Sequence, residues 1–85
     1  MTWLDFDVSA EIEGAALAIV EGYVRAYRGF LSSYVAHGPG GGNPNFVVEI
    51  PGPVAKAYSF LEDLHLVKPG EDWSHFVIPR PACEL

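Results

Sequence analysis

Thiols are almost absent from the sequence: Cys83 stands alone. One cysteine cannot close an internal disulfide, so nothing points to an oxidising compartment. No His–acid pair is fixed to it by local spacing, and it reads as an incidental thiol rather than a nucleophile. Basic residues are scarce as well. Five lysines and arginines stand against eleven acids, a net charge of −6 at neutral pH. Chains that grip phosphates need a basic face, so direct nucleic-acid binding is disfavoured. Long apolar runs are missing too. Ala15 to Val20 is the longest in the main helical stretch, far short of the ~20 residues that a membrane span requires. Asp5 and Asp7 sit where a secretory signal would carry basic residues. The expectation is a soluble, cytoplasmic protein that does not enter membranes.

What is present argues for a folded domain. Apolar residues make up 49% of the chain and aromatics 13%, too many for a disordered segment. The 85 residues suit one domain, 1–85, with a loosely held tail over 79–85 that contains Pro79 and Pro81. A chain of this size buries only about 60–65% of the surface it exposes when unfolded.

The dominant stretch is Ser9 to His37. Ile12, Ala16, Ile19, Val20, Tyr23, Val24, Tyr27, Phe30, Leu31, Tyr34 and Val35 recur at helical spacing, with Glu21, Arg25, Arg28 and Ser32 opposite. Ser9 suits an N-cap, Glu11 and Glu13 suit the first turn, and Gly38-Pro39 suits a stop. The pattern predicts one long helix of about 43 Å, longer than the roughly 30 Å diameter of so small a domain. A second stripe of small residues runs along it: Ala15, Ala18, Gly22, Ala26, Gly29 and Ser33. Each interior glycine costs about 1 kcal/mol relative to alanine. The glycines admit two readings. Either they let another backbone approach closely, making Ala18, Gly22, Ala26 and Gly29 a homodimer interface, or the helix breaks near Gly22 or Gly29.

Around this stretch the chain alternates between other signals. Leu4, Phe6 and Val8 alternate with Trp3, Asp5 and Asp7, which predicts a half-buried strand with an acidic outer face. Residues 37–45 are rich in glycine and proline and predict a loop. It lacks the Lys-Ser/Thr pair and following helix of a phosphate cradle. Phe46 to Ile50 predicts a strand with Phe46, Val48 and Ile50 inward. Pro53 suits the first position of a second helix, with Val54, Ala57, Tyr58, Leu61 and Leu64 inward and an end near His65. Pro69-Gly70 predicts a type II turn within a small hairpin, and Trp73 to Ile78 a last strand. The order β-α-β-α-β implies an α+β fold, a sheet of three or four strands packed on one long and one shorter helix. A winged-helix reading is set aside, because Glu62, Asp63, Glu71 and Asp72 occupy its DNA-facing parts.

No motif carries catalysis. His37, His65 and His75 show no metal spacing. Asp5 and Asp7 are two carboxylates on one strand face, which suits solvation or docking better than acid–base chemistry. Tyr23, Tyr27, Phe30 and Tyr34 form an aromatic seam that reads as core or its rim. No cofactor is expected. The reading is a small acidic binding protein, not an enzyme, that inhibits or masks a protein partner with a basic surface. The partner-binding residues would be Trp3, Asp5, Asp7, Glu11, Glu13 and Glu21. By class-level analogy this resembles immunity-type inhibitors and the anti-CRISPR-like inhibitors of mobile elements, some of which place carboxylates where a target expects phosphates. A homo-oligomeric accessory subunit, or a ligand binder or small enzyme using the glycine-rich loop, is the alternative.

Overall fold

A computed structural model of the chain describes residues 1–8, 15–36 and 42–78. The first strand, β1, is Thr2–Asp7, and helix α1 spans Ala15–Ala26. Strands β2 and β3 are Phe30–Val35 and Asn45–Ile50, and helix α2 is Val54–Asp63. A short 3-10 turn follows at Ser74–Phe76. Ser9, Glu11, Glu13, His37, the loop glycines Gly38, Gly40 and Gly41, Cys83 and the 79–85 tail lie outside the described residues.

The fold is α+β, a three-stranded antiparallel sheet with two helices. The element order is β-α-β-β-α instead of the expected β-α-β-α-β. The strand order is β1-β3-β2, and β3 runs antiparallel to both neighbours. β1 and β2 are therefore parallel to each other with β3 inserted between them, a split β-α-β unit.

The expected long helix is two elements. α1 stops at Ala26 in a Schellman motif: Gly29 N–H donates to Val24 O at 2.8 Å and Arg28 N–H to Arg25 O at 3.0 Å. The left-handed residue this motif needs is Arg28, with φ 59°. Gly29 serves a different end. A Cβ there would sit 2.4 Å from Glu49 O on β3, so its missing side chain lets the chain enter the sheet. The break falls at Gly29, while Gly22 stays helical with open space around it.

β2 then pairs with β3, Phe30 opposite Glu49 and Leu31 opposite Val48. A bulge at Ser32 resets the register, so that Ser33 faces Val47, Tyr34 faces Phe46 and Val35 faces Asn45. Leu31 and Tyr34 thus share the face of the buried Val48 and Phe46, and Phe30, Ser33 and Val35 take the other.

The core lies between one sheet face and the helices. Leu4 and Phe6 of β1 and Phe46, Val48 and Ile50 of β3 meet Ala16, Val20 and Val24 of α1 and Ala57, Phe60 and Leu61 of α2. The alternation expected for β1 and β3 is the observed one. Phe60, absent from the expected inward stripe of α2, is fully buried, whereas Val54 is 57% exposed. Phe60 stands edge-on to Phe6 and Tyr27, with ring centroids 5.9 and 5.5 Å apart. Pro53 caps α2 from just outside and is not its first helical residue.

The segment after α2 departs from the expected hairpin and strand. The type II turn is present: Glu71 N–H donates to Lys68 O at 2.9 Å and Gly70 has φ 82°. Tyr58 holds it, its hydroxyl donating to Lys68 O at 3.0 Å and accepting from Gly70 N–H at 2.9 Å. The expected strand at Trp73–Ile78 is mostly 3-10 turn, opened by Ser74 N–H donating to Asp72 Oδ1 at 3.0 Å. This bond, followed by one from the Ser74 side chain and the nearby His75, holds the Asp72 carboxyl below its usual range. Only one bridge of the strand remains, Val77 against Leu4, extended by Ile78 N–H donating to Trp3 O at 2.9 Å. That contact covers the outer edge of β1.

Candidate functional site

The sheet face turned away from the helices is the candidate site. Period-two alternation on β1 puts Trp3, Asp5 and Asp7 there, because Leu4 and Phe6 are committed to the core. The register aligns Trp3 with Glu49, Asp5 with Val47 and Asp7 with Asn45. Through the bulge, β2 adds Phe30, Ser33 and Val35 to the same face. Phe30 is 62% exposed and Val35 48% exposed. Phe30, Val35 and Val47 thus share this face with Ser33 and Asn45 and stand among the carboxylates of Asp5, Asp7 and Glu49.

Side-chain amides steady the carboxylates. Asn45 Nδ2 donates to Asp5 Oδ1 at 2.8 Å, and Asn43 Nδ2 reaches Asp7 Oδ2 at 3.4 Å. An amide donor orients a carboxylate and leaves its remaining lone pairs open. An open groove continues from Asp5, Asp7 and Asn45 to His75 and Phe76 beside the β1 edge. Among the paired strand residues of this face there is no lysine or arginine. Basic groups gather elsewhere, with Arg28 and Lys56 lining a groove beside Gly52 and Ser59. Among the described residues, no cluster of three or more His, Cys, Asp or Glu side chains could hold a metal ion, and no helix is long and apolar enough to cross a membrane.

The structure brings Trp3, Asp5 and Asp7 together as the alternation implies. It separates Glu21 from them, since Glu21 lies on α1 and lines a groove with Val24, Arg25, Gly29 and Leu31. Glu11 and Glu13 lie outside the described residues. The small-residue stripe divides. Ala18, Gly22 and Ala26 are exposed on α1, and Gly29 is used internally against β3. The aromatic seam also divides: Tyr34 packs on Phe46 with centroids 5.1 Å apart, Phe30 belongs to the open face, and Tyr23 stays on α1.

Asn45, Val47, Glu49, Phe30 and Val35 were missed as site residues. For β3 the signal was available, since Asn45, Val47 and Glu49 alternate with its core residues. For Phe30 and Val35 it was not, because their face depends on the bulge. No protein-family model, curated protein or solved structure matches the chain.

Proposed function

We propose that this protein is a non-enzymatic binding domain that inhibits or masks another protein by docking a basic surface against its open sheet face. The observation that carries the reading is the presence on one face of Asp5, Asp7 and Glu49 together with the exposed apolar side chains of Phe30 and Val35. Apolar side chains supply buried area at the centre of an interface, and rim carboxylates steer a cationic partner and fix its register. Half-buried Trp3 supplies an aromatic anchor of the kind that dominates binding energy. Carboxylates displayed in this way also suit a target that normally holds phosphates, so a nucleic-acid-handling enzyme is the target class this chemistry fits, as in the inhibitors that mobile elements direct against host defences. The cytoplasm is the compartment proposed, on the strength of the single cysteine.

The test is charge reversal. Asp5→Lys with Asp7→Lys changes exposed side chains and should leave the circular dichroism spectrum unchanged. Partners cross-linked to the unmodified protein in its native cell are purified and titrated against both forms. The reading expects association that slows as salt rises, with affinity falling at least roughly tenfold in the variant, a loss of about 1.4 kcal/mol. Equal affinity and equal salt dependence in the two forms would remove the open face as the docking site.

A further inference from the structure

The two edges of the sheet are treated differently. Val77 and Ile78 cover the edge of β1. β2, the other edge, has β3 on one side, and no described strand on the other. Its sequence, FLSSYV, carries no charge and no proline, two of the usual guards of an exposed edge, and the Ser32 bulge is the guard it does have.

We infer that β2 pairs antiparallel with β2 of a second copy, joining two sheets into one of six strands around a twofold axis. The sequence of β2 complements itself in this arrangement. Centred between Ser32 and Ser33, the pairing sets Phe30 of one copy against Val35 of the other, Leu31 against Tyr34, and serine against serine. Each is an aromatic–aliphatic or Ser–Ser pair of the kind that stabilises neighbouring strands. The faces agree as well. In an unbroken strand Phe30 and Val35 would point to opposite sides. The bulge between Leu31 and Ser33 changes that parity and brings both to the open face, as Leu31 and Tyr34 both go to the helix side. A twofold axis perpendicular to the sheet keeps each face on its own side, so every pair meets on a common face.

Self-complementarity selects a second copy over an unrelated strand, because FLSSYV meets matching residues when it is paired with its own reverse. The acids of the open face, Asp5, Asp7 and Glu49, lie on β1 and β3, so the uncharged seam is free of like-charge opposition. The seam spans about 20 Å, short for a permanent interface, and fits a micromolar dimer. Dimerisation would bring the Phe30 and Val35 side chains of two copies together on one wider docking face.

Sedimentation equilibrium of the unmodified chain, from micromolar to near-millimolar concentration, tests the proposal. The expected result is a monomer–dimer equilibrium. Phe30→Lys alters an exposed side chain and should weaken it at least roughly tenfold with circular dichroism unchanged. Ser33→Lys, likewise exposed and at the centre of the seam, should weaken it as well with circular dichroism unchanged. Gly22→Leu, on the exposed small-residue side of α1, should leave it intact. A monomer at every concentration, or a dimer that survives Phe30→Lys and Ser33→Lys but dissociates with Gly22→Leu, would overturn the proposal.

Discussion

The Tyr27 hydroxyl donates to Asp63 Oδ2 at 2.5 Å, tying the end of α1 to the end of α2. The ring of Tyr27 stands at 88° to that of Phe60, so one residue closes the core and pins its rim. Burial, then the hydrogen bond to Asp63 and the charges of Asp63 and Glu62, push the Tyr27 phenol up to about 12 from 10.0.

This bond gives alkaline stability a defined sign. The folded state holds the Tyr27 proton more tightly than the unfolded chain does. Its contribution is therefore complete below pH 10 and is lost as pH rises through about 12. Tyrosinate absorbance of the unmodified protein minus that of Tyr27→Phe should show a midpoint near 12, and Asp63→Asn should lower it. A difference midpoint at the ordinary tyrosine value would mean that the bond does not form in solution. Tyr27→Phe should also cost about 0.5–1.5 kcal/mol at neutral pH.

Both helices end in the same unusual way. Arg28 and His65 occupy left-handed positions, with φ 59° and 62°. Leu66 N–H donates to Leu61 O and His65 N–H to Glu62 O at 3.0 and 2.9 Å, repeating the Schellman pattern of α1. A side chain in that conformation costs about 1–2 kcal/mol, and glycine avoids it. Part of the gain is returned through the extra freedom of glycine in the unfolded chain. Arg28→Gly and His65→Gly should each stabilise the protein by about 0.5–1 kcal/mol, raising Tm by roughly 4 °C. A fall in Tm for either would show that the side chain makes a compensating contact.

These caps also explain what the sequence concealed. β1, β3 and most of α2 were legible because their burial follows an unbroken period of two or 3.6. Gly29 was one of two positions where the sequence allowed a break, but the strand β2 beyond it was hidden twice. The left-handed residue is an arginine, so it carried no stop signal. The bulge at Ser32 then spaces Phe30, Leu31, Tyr34 and Val35 as a helix would, although Leu31 and Tyr34 face inward and Phe30 and Val35 outward. Trp73–Ile78 misled in the opposite direction. Its aromatic and β-branched residues favour a strand, but the local bond from Ser74 N–H to Asp72 turns the backbone before pairing starts. Trp3, Asp5 and Asp7 were readable from the alternation of β1 and Asn45, Val47 and Glu49 from that of β3, whereas Phe30 and Val35 depended on the bulge and on β2 being the neighbour of β3.

Phe60 tests where the core is centred. It is fully buried and touches the rings of Phe6 and Tyr27, joining the sheet to both helices. Phe60→Ala should cost about 3–5 kcal/mol, the range for large aromatic truncations. In a domain with this modest a core, that should bring unfolding close to room temperature. Urea denaturation measures it, and a loss under about 1 kcal/mol would place the core elsewhere.

The two glycines of the former stripe should respond with opposite signs. Gly22 lies inside α1, and a Cβ there would meet nothing within 4 Å. Alanine at that site restricts the unfolded chain and favours the helix, so Gly22→Ala should add about 0.5–1 kcal/mol. At Gly29 the added carbon would lie 2.4 Å from Glu49 O and 3.1 Å from the Ile50 side chain. The carbonyl belongs to the backbone of the central strand and cannot rotate aside. Relief requires β2 to move away from β3 at its first pair, Phe30 with Glu49, which weakens the ladder and exposes part of Ile50. Gly29→Ala should therefore cost about 1–3 kcal/mol. Urea midpoints of the two variants, at unchanged slope, give both values. Equal shifts in the same direction would mean that α1 does not hand over to β2 at Gly29, and would restore a continuous helix through that residue.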